Sequence, residues 1–299
     1  MTEMARKAAT GLDEDPGGGG QPVLDRLVAL LDLEKIEENY YRGVSPVHSP
    51  VRVFGGQVAG QALVAAGRTV PEDRRVHSLH AYFIRGGDPS VPIVYEIDRI
   101  RDGRSFTTRR VVAVQHGKAI FSLSASFQKD QGGIEHADTM PDVPDPETLP
   151  TFPERVEGLG LGFTERPRPI DVRYVNEPPW ITRETGERPA TNRVWMRADG
   201  KLPDDQLLHV CVLTYASDMT LLDSVLARHG VYWDDENVLG ASLDHALWFH
   251  RPFRADEWLL YDCASPSASG ARGLATGRFF AQDGTLVATV VQEGLLRVL

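Results

Sequence analysis

Apolar side chains recur at helical spacing in two early stretches of the chain. After Pro22, which suits a first helical turn, Leu24, Leu27, Val28 and Leu31 form one stripe and predict a short amphipathic helix. A second helical pattern runs through VFGGQVAGQALVAAG at 53–67, where the Gly55-Gly56 pair leaves backbone N–H groups open to close approach. The texture then changes to runs of β-branched and aromatic residues at 76–84, 93–101, 105–115 and 118–127, which predict strands. Asp102-Gly103 and His116-Gly117 fall between the later runs as hairpin turns. This half therefore reads as a helix followed by an antiparallel meander.

Residues 129–168 carry Pro141, Pro144, Pro146, Pro150 and Pro153 among acidic residues, a composition expected to give a long linker without an interior strand or helix. Beyond it the order returns, with strands near 170–176 and 193–198, a helix across 205–217 and strands from Ser242 to the end. Two anchors suggest an internal repeat: His80-Ala81 against His245-Ala246 at an offset of 165, and Gln115-His116-Gly117 against Gln282-Asp283-Gly284 at an offset of 167. A sheet wrapped around one long helix, twice in one chain, is an α+β double hotdog. The predicted division is a flexible glycine-rich tail at 1–21, a first repeat at 22–128, the linker at 129–168 and a second repeat at 169–299.

The formal net charge is -10, from 32 Lys and Arg against 42 Asp and Glu, and no basic stripe is present to displace phosphate counterions. Nucleic-acid binding is therefore not expected, and an anionic ligand would need a local arginine cluster. Cys211 and Cys263 lie in packed segments without CxxC or Cys/His spacing, and read as buried free thiols in a reducing compartment. With no apolar run of ~18 residues and no apolar leader region, membrane insertion is not expected and the cytoplasm is the default location.

Motifs for familiar chemistries are missing. Gly240-Ala241-Ser242-Leu243-Asp244 approaches the GxSxG elbow of serine hydrolases but lacks the last glycine and leads into a strand. HExxH, GxGxxG and the phosphate-binding P-loop are absent, so neither a metal nor a nucleotide cofactor is expected. What remains are polar residues in apolar runs. Asp218 closes the helical stretch LLHVCVLTYASD, Gln292 interrupts the final apolar strand and Ser242 precedes the strand through Ala246, Leu247, Trp248 and Phe249. Taken singly they read as a capping carboxylate, an edge amide and a turn residue. By the 167 offset Gln292 aligns with Ala125, so the polar residue belongs to one half only.

From about residue 22 to 299 the chain resembles the acyl-CoA thioesterase II family of double-hotdog enzymes. The resemblance is densest in VFGGQVAGQAL (53–63), the stretch at 76–121, YASD (215–218), SLDHALWFHRPFRADEWLLY (242–261) and QDGTLVATVVQEG (282–294). It implies an acid, a hydroxyl residue and a glutamine that hold the attacking water. Carried over, these are Asp218 of YASD, Ser242 before LDH and Gln292 of VQEG, with serine where the bacterial archetype has threonine. The implied activity is hydrolysis of medium- to long-chain acyl-CoA to fatty acid and CoA, without a cofactor, in a homo-oligomer, dimer or tetramer.

Two rival readings stand beside it. One is a hotdog enoyl-CoA hydratase using Asp244 and His245 as acid and base, although neighbours on a strand face opposite sides. The other is non-catalytic acyl-CoA binding. For the CoA phosphates the candidates are Arg99, Arg101, Arg104, Arg109 and Arg110 in the first half and Arg251, Arg254 and Arg272 in the second.

Overall fold

A computed structural model of the chain describes residues 19–46, 52–157 and 168–299. Most of the predicted tail (1–18) and part of the predicted linker (158–167) lie outside the described residues. The first half begins with helix α1 (Gln21–Leu31), the short strands β1 (Glu34–Glu37) and β2 (Tyr40–Gly43), and helix α2 (Gly55–Gly67). Strands β3 (Arg74–Phe83), β4 (Ile93–Asp102), β5 (Phe106–Gln115) and β6 (Lys118–Lys129) follow as the expected meander.

Helix α3 (Phe152–Val156) lies in the proline-rich segment, and the second half continues with β7 (Ile170–Tyr174), α4 (Pro179–Thr185), β8 (Thr191–Ala198), α5 (Gln206–Ser217) and α6 (Asp223–His229). It is completed by β9 (Val238–Ser242), β10 (Asp244–Phe249), β11 (Leu259–Ser269), β12 (Arg272–Ala281) and β13 (Leu286–Val298). All strands join one antiparallel sheet in the order β1-β2-β4-β5-β6-β3-β10-β13-β12-β11-β8-β7, with β9 pairing β13. The halves meet where β3 pairs β10, from Asp244 opposite Tyr82 to Trp248 opposite Ser78. Among the described residues no helix is long and apolar enough to cross a membrane.

Helix α2 is buried all round from Gly56 to Ala66, as expected of a helix that a sheet wraps. Two glutamines sit in that apolar run and tie the helix to its surroundings. Gln61 donates to Leu30 O at 2.7 Å and accepts from Tyr95 Oη at 2.7 Å, while Gln57 donates to Ser45 Oγ at 3.0 Å. Helices α2 and α5 run antiparallel, with Gly56 against Tyr215, Gly60 against Cys211 and Gly67 against Leu207. A Cβ on Gly60 would come within 3.2 Å of Cys211 O, so small residues set how closely the two backbones approach.

The structure departs from the sequence expectation at two places. The proline-rich segment does contain a helix: prolines occupy the first turns of a 3₁₀ turn at Pro146–Thr148 and of α3, positions where a missing N–H costs nothing. Thr151 and Glu154 cap α3 reciprocally. The segment also covers an apolar patch on the second half, where Trp195 donates to Pro144 O at 3.0 Å and Met140, Val143 and Leu149 pack on Trp195, Trp258, Leu260 and Phe280.

The His-Ala anchor does not hold in the structure. His80 is exposed and meets Trp248 edge-on at 5.0 Å, whereas His245 is fully buried. A slip of one residue in a strand reverses the face, so these dipeptides are not structural equivalents. The turn anchor is sound, since Gly117 and Gly284 both take positive φ in the corresponding β5–β6 and β12–β13 turns. Both cysteines are free and buried, and burial pushes both thiols upward, away from the thiolate.

Candidate active site

Asp218, Ser242 and Gln292 come together where the N-terminus of α2 meets the C-terminus of α5. Asp218 is the C-cap of α5, Ser242 ends β9 and Gln292 lies within β13. Register explains the approach of the last two. Ser242 pairs with Gly294, and Gln292, two residues away on the same face, lies within diagonal reach. Gln292 Nε2 donates to Asp218 Oδ1 at 2.7 Å and to Ser242 Oγ at 3.0 Å, so one amide joins carboxylate and hydroxyl.

The carboxylate also meets the first turn of α2. Phe54, the N-cap, places no side chain on the helix end, and the Gly56 N–H bonds Asp218. A Cβ at Gly55 would fall 2.6 Å from Asp218 Oδ2, so only glycine lets the acid come this close. Helix N-terminal N–H groups and the helix dipole favour negative charge at that point. Desolvation opposes them and prevails: burial pushes the Asp218 carboxyl up to about 6, against the downward pull of the Gln292 and Gly56 hydrogen bonds.

A cavity of about 490 Å³ borders Asp218 and Ser242. Val53, Val58, Phe83, Ile120, Met219 and Leu222 supply apolar wall, and the exposed Arg52 and Arg85 border it as well. Gln292 is fully buried behind the acid and the hydroxyl. Asp223 and Trp233 also line the cavity, the indole donating to Asp223 Oδ1 at 2.7 Å, and burial pushes that carboxyl up to about 7. Neither residue stood out in the sequence, because their segment shows no periodicity long enough to set an inward aspartate apart.

Asp244 and His245 part company. His245 turns inward to Ser217, with Nε2 2.8 Å from Oγ, whereas Asp244 accepts from Glu293 N at 2.6 Å. They form no acid-base pair, as the strand alternation predicted.

The arginines singled out in the sequence lie elsewhere, and none borders this cavity. Arg109 is buried and bonded to Thr69 and Asp102, Arg99 pairs with Glu38 and Arg110 with Asp98. Arg254 pairs with Asp256 and Asp204, and Arg272 with Glu293. Arg251 donates to Leu286 O and lines a different cavity.

A family model for acyl-CoA thioesterase matches residues 164–295, and one for the acyl-CoA thioesterase N-terminal domain matches residues 45–128. The chain is 42% identical to acyl-coenzyme A thioesterase 8 of Homo sapiens, over 95% of this chain and 92% of that one. The chain belongs to the acyl-CoA thioesterase family. It is a thioester hydrolase with a hotdog fold. Acyl-CoA thioesterase 2 of Haemophilus influenzae is 40% identical, over 92% of this chain and 98% of that one. Among solved structures, acyl-CoA thioesterase II TesB2 from Mycobacterium marinum superposes with a TM-score of 0.76 at 48% identity, covering 91% of this chain and 98% of that one. Within the family frame, the Asp218 end of the helix pair holds a partly desolvated carboxylate, a hydroxyl and the first turn of α2, which has no side-chain cap of its own, beside a largely apolar cavity.

Proposed function

We propose that this thioesterase hydrolyses medium- to long-chain acyl-CoA by attack of a water held in the site that Asp218, Ser242 and Gln292 form together. The observation that carries the reading is the single amide spanning carboxylate and hydroxyl at the cavity wall. Asp218, pushed up to about 6, is a better general base than an ordinary aspartate and is still ionised at neutral pH. Ser242 fixes the water's orientation from the opposite side, and Gln292 keeps acid and hydroxyl at working distance from behind. As water attacks the thioester carbon, Asp218 takes its proton. The carbonyl oxygen gains charge near the α2 N-terminus, and the C–S bond breaks to release a thiolate of ordinary pKa ~8.5. Arg52 and Arg85, at the same cavity, are the cations best placed for the CoA phosphates.

The test is release of free CoA thiol across a panel of acyl-CoAs of increasing length, followed with a chromogenic thiol reagent. Turnover that rises from short to medium and long chains is expected. Flat or absent turnover removes the chain-length assignment, and binding without turnover favours sequestration. Rapid acid quenching with intact-mass measurement should show no acyl adduct. An adduct on Ser242 that decays at the turnover rate replaces the water by a covalent route.

A further inference from the structure

His245 has no part in the mechanism above, yet it is fully buried directly behind it. Its Nε2 lies 2.8 Å from the hydroxyl of Ser217, the residue before Asp218. The β10–β13 register pairs Ala246 with Val291, and one residue further on it sets His245 opposite Gln292. Directly opposed residues of an antiparallel pair share a face and touch. Two polar atoms are buried in this space without a well-formed hydrogen bond, His245 Nδ1 and Gln292 Oε1. Such atoms are costly to leave unmatched, and one ring tautomer matches both. The Ser217 hydroxyl has a single proton and two acceptors within reach, Thr214 O at 2.9 Å and His245 Nε2. With that proton directed to Nε2, the neutral ring carries its own on Nδ1, where it faces the amide carbonyl.

We infer that His245 is the positioning residue of the Gln292 amide: it accepts from Ser217 at Nε2 and donates from Nδ1 to Gln292 Oε1. An amide fits its site in two orientations of nearly equal shape. The wrong one would turn the carbonyl toward the Asp218 carboxylate and remove both N–H bonds that hold the acid and the hydroxyl. A donor at Oε1 selects the orientation that works. Burial drives the ring down to about 4, so it stays neutral where Asp218 is ionised. The other half supports the pairing. Ala125 takes the place of Gln292 there, and its cross-strand partner is Leu79, so amide and imidazole are absent together.

This inference rests on Gln292 serving hydrolysis, so Gln292→Ala is measured alongside. His245→Asn retains an N–H donor near the place of Nδ1, and His245→Leu removes it at similar bulk. Expected are a loss in kcat of at least about 10-fold for His245→Leu with KM within about 2-fold, and recovery to within about 3-fold of the parent kcat in His245→Asn. Equal losses in the two variants, or a loss carried by KM, overturn the positioning role. Full activity in Gln292→Ala overturns the role of Gln292 itself, which separates the two failures. Ring ¹⁵N shifts of the unsubstituted protein provide a readout independent of how the variants fold. Protonated Nδ1 with an accepting Nε2 is expected, and a proton on Nε2 overturns the assignment.

Discussion

The antiparallel pair of α2 and α5 has two ends built from corresponding elements, and only one carries the constellation. At the Asp218 end the N-terminus of α2 has no side-chain cap. At the other end Asp205 places its own carboxylate on Leu207 N at 2.9 Å and Leu208 N at 3.3 Å, filling the position that a substrate oxyanion would need. The C-cap of α5 is Asp218, while that of α2 is Arg68, which pairs with Asp32 and donates to Leu33 O. Ala125 stands where Gln292 would, opposite Leu79 in place of His245. The cavity beside this second end, at about 870 Å³, is the larger of the two. Space is therefore not what distinguishes them; a helix N-terminus met by a desolvated carboxylate from the neighbouring helix, in place of a local cap, is.

The largest effect expected from this contrast is on Asp218. Asp218→Asn preserves shape and removes the proposed base, so kcat should fall at least ~100-fold, within the range for general-base catalysis. In the parent protein kcat/KM should decline as pH falls through about 6, because protonation removes the proposed base. Stability has the opposite sign. The folded carboxyl binds its proton more tightly than the unfolded one, so stability falls as pH rises from about 4 through 6. Asp218→Asn should accordingly melt higher than the parent at pH 8 while being nearly inactive. A retained acidic limb in the variant, or activity within a few-fold of the parent, would assign the base elsewhere.

Much of the fold was legible because its core elements keep a clear period. Helix α2 and strands β3 to β6 follow the predicted spans closely, and α5 begins within a residue of its expected start. Helices α4 and α6 span only 7 residues each, too few for a helical stripe to declare itself. The candidate site was legible only in outline. Asp218, Ser242 and Gln292 each have an ordinary local reading, and what unites them is the pairing of Ser242 with Gly294, a long-range register no local pattern encodes. The His-Ala anchor failed for the same reason, since matching residue types ignore which face a strand presents.

A smaller effect is expected for the amide and hydroxyl. Gln292→Ala leaves the acid and Ser242 in place but unlinked, so kcat should fall about 10-fold or more while KM stays nearly constant. Ser242→Ala should fall less far. Ser242→Thr, which restores a hydroxyl, should stay within a few-fold of the parent. A raised KM with intact kcat in Gln292→Ala would make the amide part of substrate binding instead.

The smallest effect on turnover belongs to the second end, where it tests whether the asymmetry is functional. Asp205→Ala removes a cap, for which the usual cost is ~1 kcal/mol of stability. It also frees two N–H groups at the start of α5 beside the larger cavity. If the second end carries structure only, the melting temperature should drop by a few degrees and kcat/KM should hold within about 2-fold. Freed helix N–H groups alone do not make a catalyst, because Arg68 and Ala125 supply neither base nor amide there. A fall in kcat much larger than the loss of stability explains would show that the ends communicate along the helix pair. The contact of Gly60 with Cys211, midway along both helices, would then be the first place to look.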